Sequence, residues 1–181
     1  MILIILGLAL WAAAHLWKRI APAHRAGFGE KGKGIVALLS VAAIVLMVIG
    51  YRGADSTFYW GRTPATTGFN NLLMVFAVYL FAASGAKTAV TRFIRHPQLM
   101  AVMVWAVAHL AVNGDTASFV LFGGLFVWAA TEIFAINRAE GPRAPYHPVP
   151  IKKEMTAFIA TFIVFSLIAV VHIWLGYNPF G

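Results

Sequence analysis

Apolar residues along this chain come in long blocks, separated by short segments rich in basic residues, glycine and proline. A helix needs about 20 predominantly apolar residues to cross the hydrocarbon of a bilayer. Six blocks approach that length, at about 2–17, 35–51, 69–90, 99–112, 117–136 and 155–175. The fourth is short and rich in Val, Met, Trp and Ala. Only Asn113, Gly114, Asp115 and Thr116 part it from the fifth. A polar cluster with glycine reads as a tight turn. Each half is close to spanning length, so two crossings are expected rather than one re-entrant hairpin. The expected fold is all-α: a polytopic membrane protein, a bundle of six transmembrane helices in one domain over residues 1–181.

Composition agrees that lipid is the solvent. Of 181 residues, 61% are hydrophobic and only 11% are charged. A soluble domain carries about 25% charged residues, and a chain of this size cannot hide so much apolar surface in a soluble core. The formal charge of +8 would suggest nucleic acid in a soluble protein. Here the basic residues flank apolar blocks, as they do in cytoplasmic loops, and no nucleic-acid partner is expected. The first loop carries Lys18, Arg19, Arg25, Lys31 and Lys33. The end of the third block and its loop carry Lys87, Arg92 and Arg95. The fifth loop carries Arg138, Arg143, Lys152 and Lys153. Only Arg52 and Arg62, in the second loop, fall elsewhere. This asymmetry requires an even number of crossings and puts the three basic loops in the cytoplasm, with both termini on the far side. Aromatic Tyr59 and Trp60 in the second loop then read as interfacial anchors. No Lys or Arg precedes the first block, whereas Lys18 and Arg19 follow it. That order is the reverse of a secretory signal, so the block reads as a retained helix.

Small residues cluster at Ala82, Ala83, Ser84, Gly85 and Ala86, and again at Gly123 and Gly124. In lipid such clusters let helix backbones approach closely.

The chain has no cysteine, which removes disulfides, thiolate metal sites and cysteine nucleophiles. Six histidines remain. His24 and His147 sit among Pro, Gly and Arg residues and read as solvated. Polar groups within a membrane are costly and need a reason. His15, His109, His172 and Glu132 lie inside apolar blocks. Tryptophan precedes two of these histidines by four residues: Trp11 before His15, and Trp105 before His109. Residues at i and i+4 share a helix face, and the intervening alanines make room for a bulky group. The echo could mark an inverted repeat of three helices plus three, although Ala and Trp are abundant enough for chance to produce it. A rise of about 1.5 Å per residue puts His15 roughly 20 Å along the first helix, His109 roughly 16 Å up the fourth and His172 roughly 25 Å up the sixth.

Two neutral imidazoles from different helices suit the axial positions of a b-type haem. Hydrogen bonding between helices is the alternative use for each. Haem propionates would find cations in Lys18, Arg19, Arg92 or Arg95. In Arg92-Phe-Ile-Arg95-His96-Pro97-Gln98, Pro97 suits the first turn of a helix, which places His96 near its N-cap. His96 then reads either as a contact for phosphate, propionate or a proton at the cytoplasmic surface, or as a helix-entry cap. Glu132 is expected to pair with Arg138 or another basic loop residue, with a proton relay as the alternative. Hydrolase and kinase motifs are absent.

The run Arg95-His96-Pro97-Gln98, followed by Ala108-His109 and then Asn113-Gly114, resembles the NnrU family over nearly the whole chain. The same domain is found in the plant 15-cis-zeta-carotene isomerase, a haem b enzyme. Bacterial members are associated with nitrite and nitric oxide reduction. The resemblance implies iron, held as haem b by His109 in the A-H motif and by His15 in the first helix; the reading of the residues themselves adds Trp11, Trp105, Arg92, Arg95 and His96 as cofactor-binding candidates. It also implies a bacterial inner membrane, where the loop charge makes both termini periplasmic. The expected ligand is a nitrogen oxide or an apolar polyene, and the expected activity is redox chemistry or cis-trans isomerisation. The lack of cysteine departs from the plant enzyme and excludes a thiolate ligand here. The rival reading is a non-catalytic assembly or maturation factor for denitrification enzymes; a small transporter is a more distant one.

Overall fold

The computed structural model describes residues 1–143, 145 and 147–181. The chain folds as two compact units, Met1–Tyr59 with Gly114–Gly141, and Trp60–Asn113 with Pro142–Gly181. The first unit takes the first, second and fifth apolar blocks, and the second takes the third, fourth and sixth. The units therefore do not follow the two halves of the chain.

In the first unit, α1 (Ile2–Ile20) is followed by the short α2 (Pro22–Gly27) and then by α3 (Lys31–Arg52). Lys18 and Arg19 lie in the last turn of α1, where cations suit the negative end of the helix dipole. Helices α1 and α3 pack against each other most extensively, and glycine permits it. A Cβ on Gly7 would lie 2.8 Å from the Ala43 carbonyl oxygen and 2.6 Å from Met47 Cγ. A Cβ on Gly50 would lie 2.7 Å from the Ile4 backbone nitrogen. Close approach in lipid depends on such absences. The glycines singled out from sequence behave differently. Gly85 and Gly123 face open space, and Gly124 meets the Leu8 side chain. Gly7 and Gly50 are isolated in their helices, so clustering was a poor guide.

Strand β1 (Phe58–Trp60) pairs with β2 (Gly114–Asp115) in a two-stranded sheet. The fifth block then runs through α6 (Thr116–Ser118), a π-helical turn (Phe119–Gly123) and α7 (Gly124–Glu140). Sequence patterning indicates an unbroken helix there, because hydropathy does not register a change in hydrogen-bond spacing.

The second unit is built on α4 (Pro64–Ala86), which packs against both α5 (Pro97–Val112) and α8 (Ile151–Trp174). Thr63 and Thr66 form a reciprocal capping box with Pro64 at the first helical position, so two orphan N–H groups are satisfied. Ala77, Leu80 and Ala83 of α4, Ala101, Ala106 and Ala108 of α5, and Ala157, Thr161 and Ala169 of α8 are buried. Helix α4 ends four residues before the apolar block does. Lys87 adopts a left-handed conformation at φ 57° and its N–H bonds the Ala83 carbonyl, the usual way a helix closes its C-terminus. A 3₁₀ turn (Ala89–Arg92) comes next.

Among the described residues, five helical stretches are long and apolar enough to cross a membrane: Ile2–Ile20, Lys31–Arg52, Pro64–Ala86, Thr116–Glu140 and Ile151–Trp174. Helix α5 has 16 residues, a rise of about 24 Å, which is short of a ~30 Å core. Pro97 starts it and the Asn113–Asp115 turn ends it. The expected sixth crossing is therefore a shorter apolar helix than the rest. Outward faces are apolar: Leu38, Phe81, Phe134, Phe158 and Val170 are all exposed, as lipid-facing positions require.

Candidate functional site

Each unit holds one of the two Trp–His pairs. In the first, the His15 ring lies 4.2 Å from the Trp11 ring, centroid to centroid, tilted by 32°. Its Nδ1–H donates to the Trp11 carbonyl oxygen at 2.8 Å. A neutral ring held so carries its lone pair on Nε2. No hydrogen-bond partner takes up His15 Nε2 among the described residues.

Two further residues join this cluster from α7. Trp128 packs edge-on to His15 at 5.1 Å and to Trp11 at 5.4 Å. One turn along lies Glu132, 8% exposed. Its Oε2 is buried without a hydrogen bond among the described residues, as are Nε1 of Trp11 and Nε1 of Trp128. Its titratable neighbours are Arg19 and His15, not Arg138. Arg138 lies exposed in the last turn of α7, so the expected pairing of Glu132 with Arg138 does not occur. The other acid near Arg19, Glu140, takes its guanidinium at 3.0 Å. Trp128 was missed from sequence, yet the signal is there: Trp128 and Glu132 repeat the i, i+4 spacing of Trp11 and His15.

In the second unit, His109 lies one turn from the end of α5. Its Nδ1–H donates to the Trp105 carbonyl at 2.9 Å, and the two rings lie 4.9 Å apart. The Asn113 side-chain amide donates to the His109 carbonyl at 2.9 Å and closes the helix end. His172 of α8 and Arg62 are the titratable neighbours of His109. His172 also donates from Nδ1 to the carbonyl four residues back, that of Ile168, at 2.8 Å. All three membrane-embedded histidines are thus held by the same local device, which fixes the tautomer and the ring plane.

The remaining candidates sit around the entry to α5. His96 occupies the N-cap position but its side chain does not cap the helix. Of its two sequence readings, the cap survives in position only. Arg95 and His96 are half-buried. Arg92 is exposed, with its guanidinium 5.7 Å over the Phe93 ring. Its carbonyl accepts from Arg143 Nη1 at 2.7 Å. His24 and His147 are exposed, as expected.

Among the described residues no group of three or more His, Asp or Glu is placed to hold a metal ion. Haem brings four ring nitrogens and asks the protein for one or two more. His15 in the first unit and His109 in the second each have Nδ1 tied and an indole alongside.

The second unit also carries an apolar groove of about 650 Å³ between α4 and α8, lined by Leu72, Phe76, Tyr79, Phe158 and Phe162 among others, with Glu154 at one end. Elsewhere the first unit has a polar network at the start of the fifth block. Asp115 accepts from the Ser118 N–H at 3.0 Å, the Ser118 hydroxyl at 2.7 Å and the Ser56 hydroxyl at 2.7 Å. The Tyr51 hydroxyl meets Ser118 Oγ at 2.8 Å. Burial raises the Asp115 carboxyl, but the bonds from Ser118, Ser56 and the Ala117 N–H outweigh it and leave the group below its ordinary value.

Long apolar helices, lipid-suited outer faces and polar side chains gathered on inner helix faces define a polytopic α-helical membrane protein. Residues 3–179 match the family model described as NnrU protein, and the chain belongs to the NnrU family. No curated protein and no solved structure matched the chain.

Proposed function

We propose that this chain is a haem-binding membrane protein serving nitrite or nitric oxide reduction in a denitrifying bacterium. His15 and His109 are the residues that would hold its iron. The observation that carries the reading is the shared posture of these two rings. Each donates Nδ1–H to the carbonyl of the tryptophan four residues back, which presents Nε2 as the ligating nitrogen. Bound haem would supply a redox-active iron able to take a nitrogen oxide. The protein's part is to hold neutral imidazoles, exclude water with Trp11, Trp105 and Trp128, and offer cations such as Arg92 and Arg95 to the propionates. The charge asymmetry of the loops supports an inner-membrane placement with both termini periplasmic, with α5 serving as the sixth crossing.

The groove between α4 and α8 favours one second reading, in which an apolar polyene binds there and is isomerised.

The test is a reduced-minus-oxidised absorption spectrum of protein purified from cells with ample haem. Haem b bands are expected. His15→Ala and His109→Ala should each lower haem content several-fold or convert the spectrum to a high-spin form, with His172→Ala as the comparison. Absence of haem bands in the wild type would refute the proposal and favour an assembly factor. Unchanged spectra in both variants would refute the ligand assignment.

A further inference from the structure

We propose that the turn between the first two spanning helices binds the headgroup of an anionic phospholipid, with Arg25 as the residue that holds its phosphate. This site is independent of the haem reading.

Between Trp17 and Lys33 the chain carries five basic residues and one acid, Glu30. Two of the basic side chains are already paired, Arg19 with Glu140 at 3.0 Å and Lys33 with Glu30 at 2.8 Å. Arg25 has no carboxylate partner among the described residues. Its guanidinium is nevertheless held from three sides. Cζ lies 5.7 Å over the Trp17 ring. Nη1 donates to the Gly29 carbonyl at 3.1 Å. The third side is Gly32, where a Cβ would fall 2.0 Å from Nη1 and 2.4 Å from Cζ, so any larger residue there would expel the guanidinium.

The Trp17 ring beneath it is itself fixed. The indole N–H donates to His24 Nδ1 at 3.0 Å, and Trp17, His24 and Phe28 pack mutually at 5.3–5.5 Å. A surface arginine ordinarily keeps its rotamer freedom, and fixing it costs entropy. Here much of that cost is met in advance, and Nε and Nη2 have no hydrogen-bond partner among the described residues. Planar donor forks match phosphate oxygens. The location selects a lipid over a soluble anion. The site lies where α1 leaves the hydrocarbon, and exposed Ile20 and Phe28 flank it, offering apolar shoulders to acyl chains while indole and guanidinium sit at headgroup level.

The experiment uses the full chain purified in neutral detergent and offered equal amounts of phosphatidylglycerol and phosphatidylcholine, with retained lipid read by native mass spectrometry. The wild type should prefer phosphatidylglycerol by about fivefold or more, the factor that one basic residue contributes near an anionic surface. Arg25→Ala should bring the ratio close to one. Gly32→Ala keeps every charge and displaces only the guanidinium, and should do the same. Lys18→Ala removes equal charge from the adjoining last turn of α1 and should keep most of the preference. An indifferent wild type would overturn the proposal. So would a Lys18→Ala loss equal to that of Arg25→Ala, which would make the effect bulk charge. Displacement of the lipid by millimolar inorganic phosphate would assign the seat to a soluble anion instead. Should Gly32→Ala fail to fold, the contrast between Arg25→Ala and Lys18→Ala decides alone.

Discussion

Trp11 and His15 are joined twice: the imidazole stacks on the indole at 4.2 Å and donates to the same residue's carbonyl at 2.8 Å. The ring has little freedom left. Its orientation is written into one turn of helix, and the second unit repeats the device with Trp105 and His109.

The indole N–H groups around His15 contribute nothing to that hold. Nε1 of Trp11 and Nε1 of Trp128 are buried without acceptors. Leaving a buried donor unsatisfied costs about 1–3 kcal/mol. Trp11→Phe and Trp128→Phe keep an aromatic ring and delete the donor, so each should leave thermal stability in detergent unchanged or raised. Trp11→Ala, which removes the ring, should lose about 3–5 kcal/mol. A marked loss in both Phe variants would reveal a partner for the indoles, bound haem or water included.

Glu132 makes a parallel case with a charge. Its carboxylate is buried within a spanning helix and Oε2 lacks a partner. Glu132→Gln preserves shape and removes the ionisable group, so it should raise the melting temperature or leave it unchanged, because an unpaired buried charge is costly. A fall equivalent to more than about 2 kcal/mol would mean that the carboxylate is engaged, with Arg19 the first partner to examine.

Asp115 links stability to pH. Its folded-state pKa is depressed, so the unfolded chain binds the proton more readily. The contribution is in full force above the ordinary aspartate value of about 4 and is lost as pH falls through the lower folded value. Melting temperature should be insensitive to this group at neutral pH and should decline in acid. Asp115→Asn should be less stable at pH 7 and show a flatter acid limb. Ser118→Ala should also cost about 1–3 kcal/mol, since it removes the hydroxyl that bonds both Asp115 and Tyr51. Identical acid limbs in wild type and Asp115→Asn would dismiss the linkage.

Glycine positions divide into two groups by what surrounds them. Gly50→Ala would place a methyl 2.7 Å from the Ile4 backbone nitrogen, and the overpacking should cost about 1–3 kcal/mol. Gly85 and Gly123 meet nothing within 4 Å, so alanine there should be neutral or stabilising by up to about 1 kcal/mol, the usual helix-propensity gain. A melting series over the three variants checks the order.

Sequence showed most of the helical layout, because hydrocarbon thickness imposes a length that hydropathy reports directly. The polar turn at Asn113 to Thr116 was legible for the same reason, and Trp11–His15 and Trp105–His109 because i, i+4 spacing is a property of any helix. What escaped depends on which helices meet. The association of Trp128 and Glu132 with His15 needs the first and fifth blocks to pack, and no periodicity encodes that choice. Gly7 and Gly50 were invisible because their role is set by backbone approach on a partner helix. The left-handed Lys87 was overlooked because lysine carries no signature for that conformation.

The π-helical turn at Phe119–Gly123 sets the phase of the whole of α7. Such a turn absorbs a surplus residue within an otherwise α-helical run. Each residue added to or taken from a helix rotates its downstream side chains by about 100°. Removing one residue here would rotate Trp128 and Glu132 together off the α1 side and point both toward a different neighbour. The composition of the His15 cluster is therefore fixed by a counting feature two to three turns away, on a segment that carries no chemistry of its own.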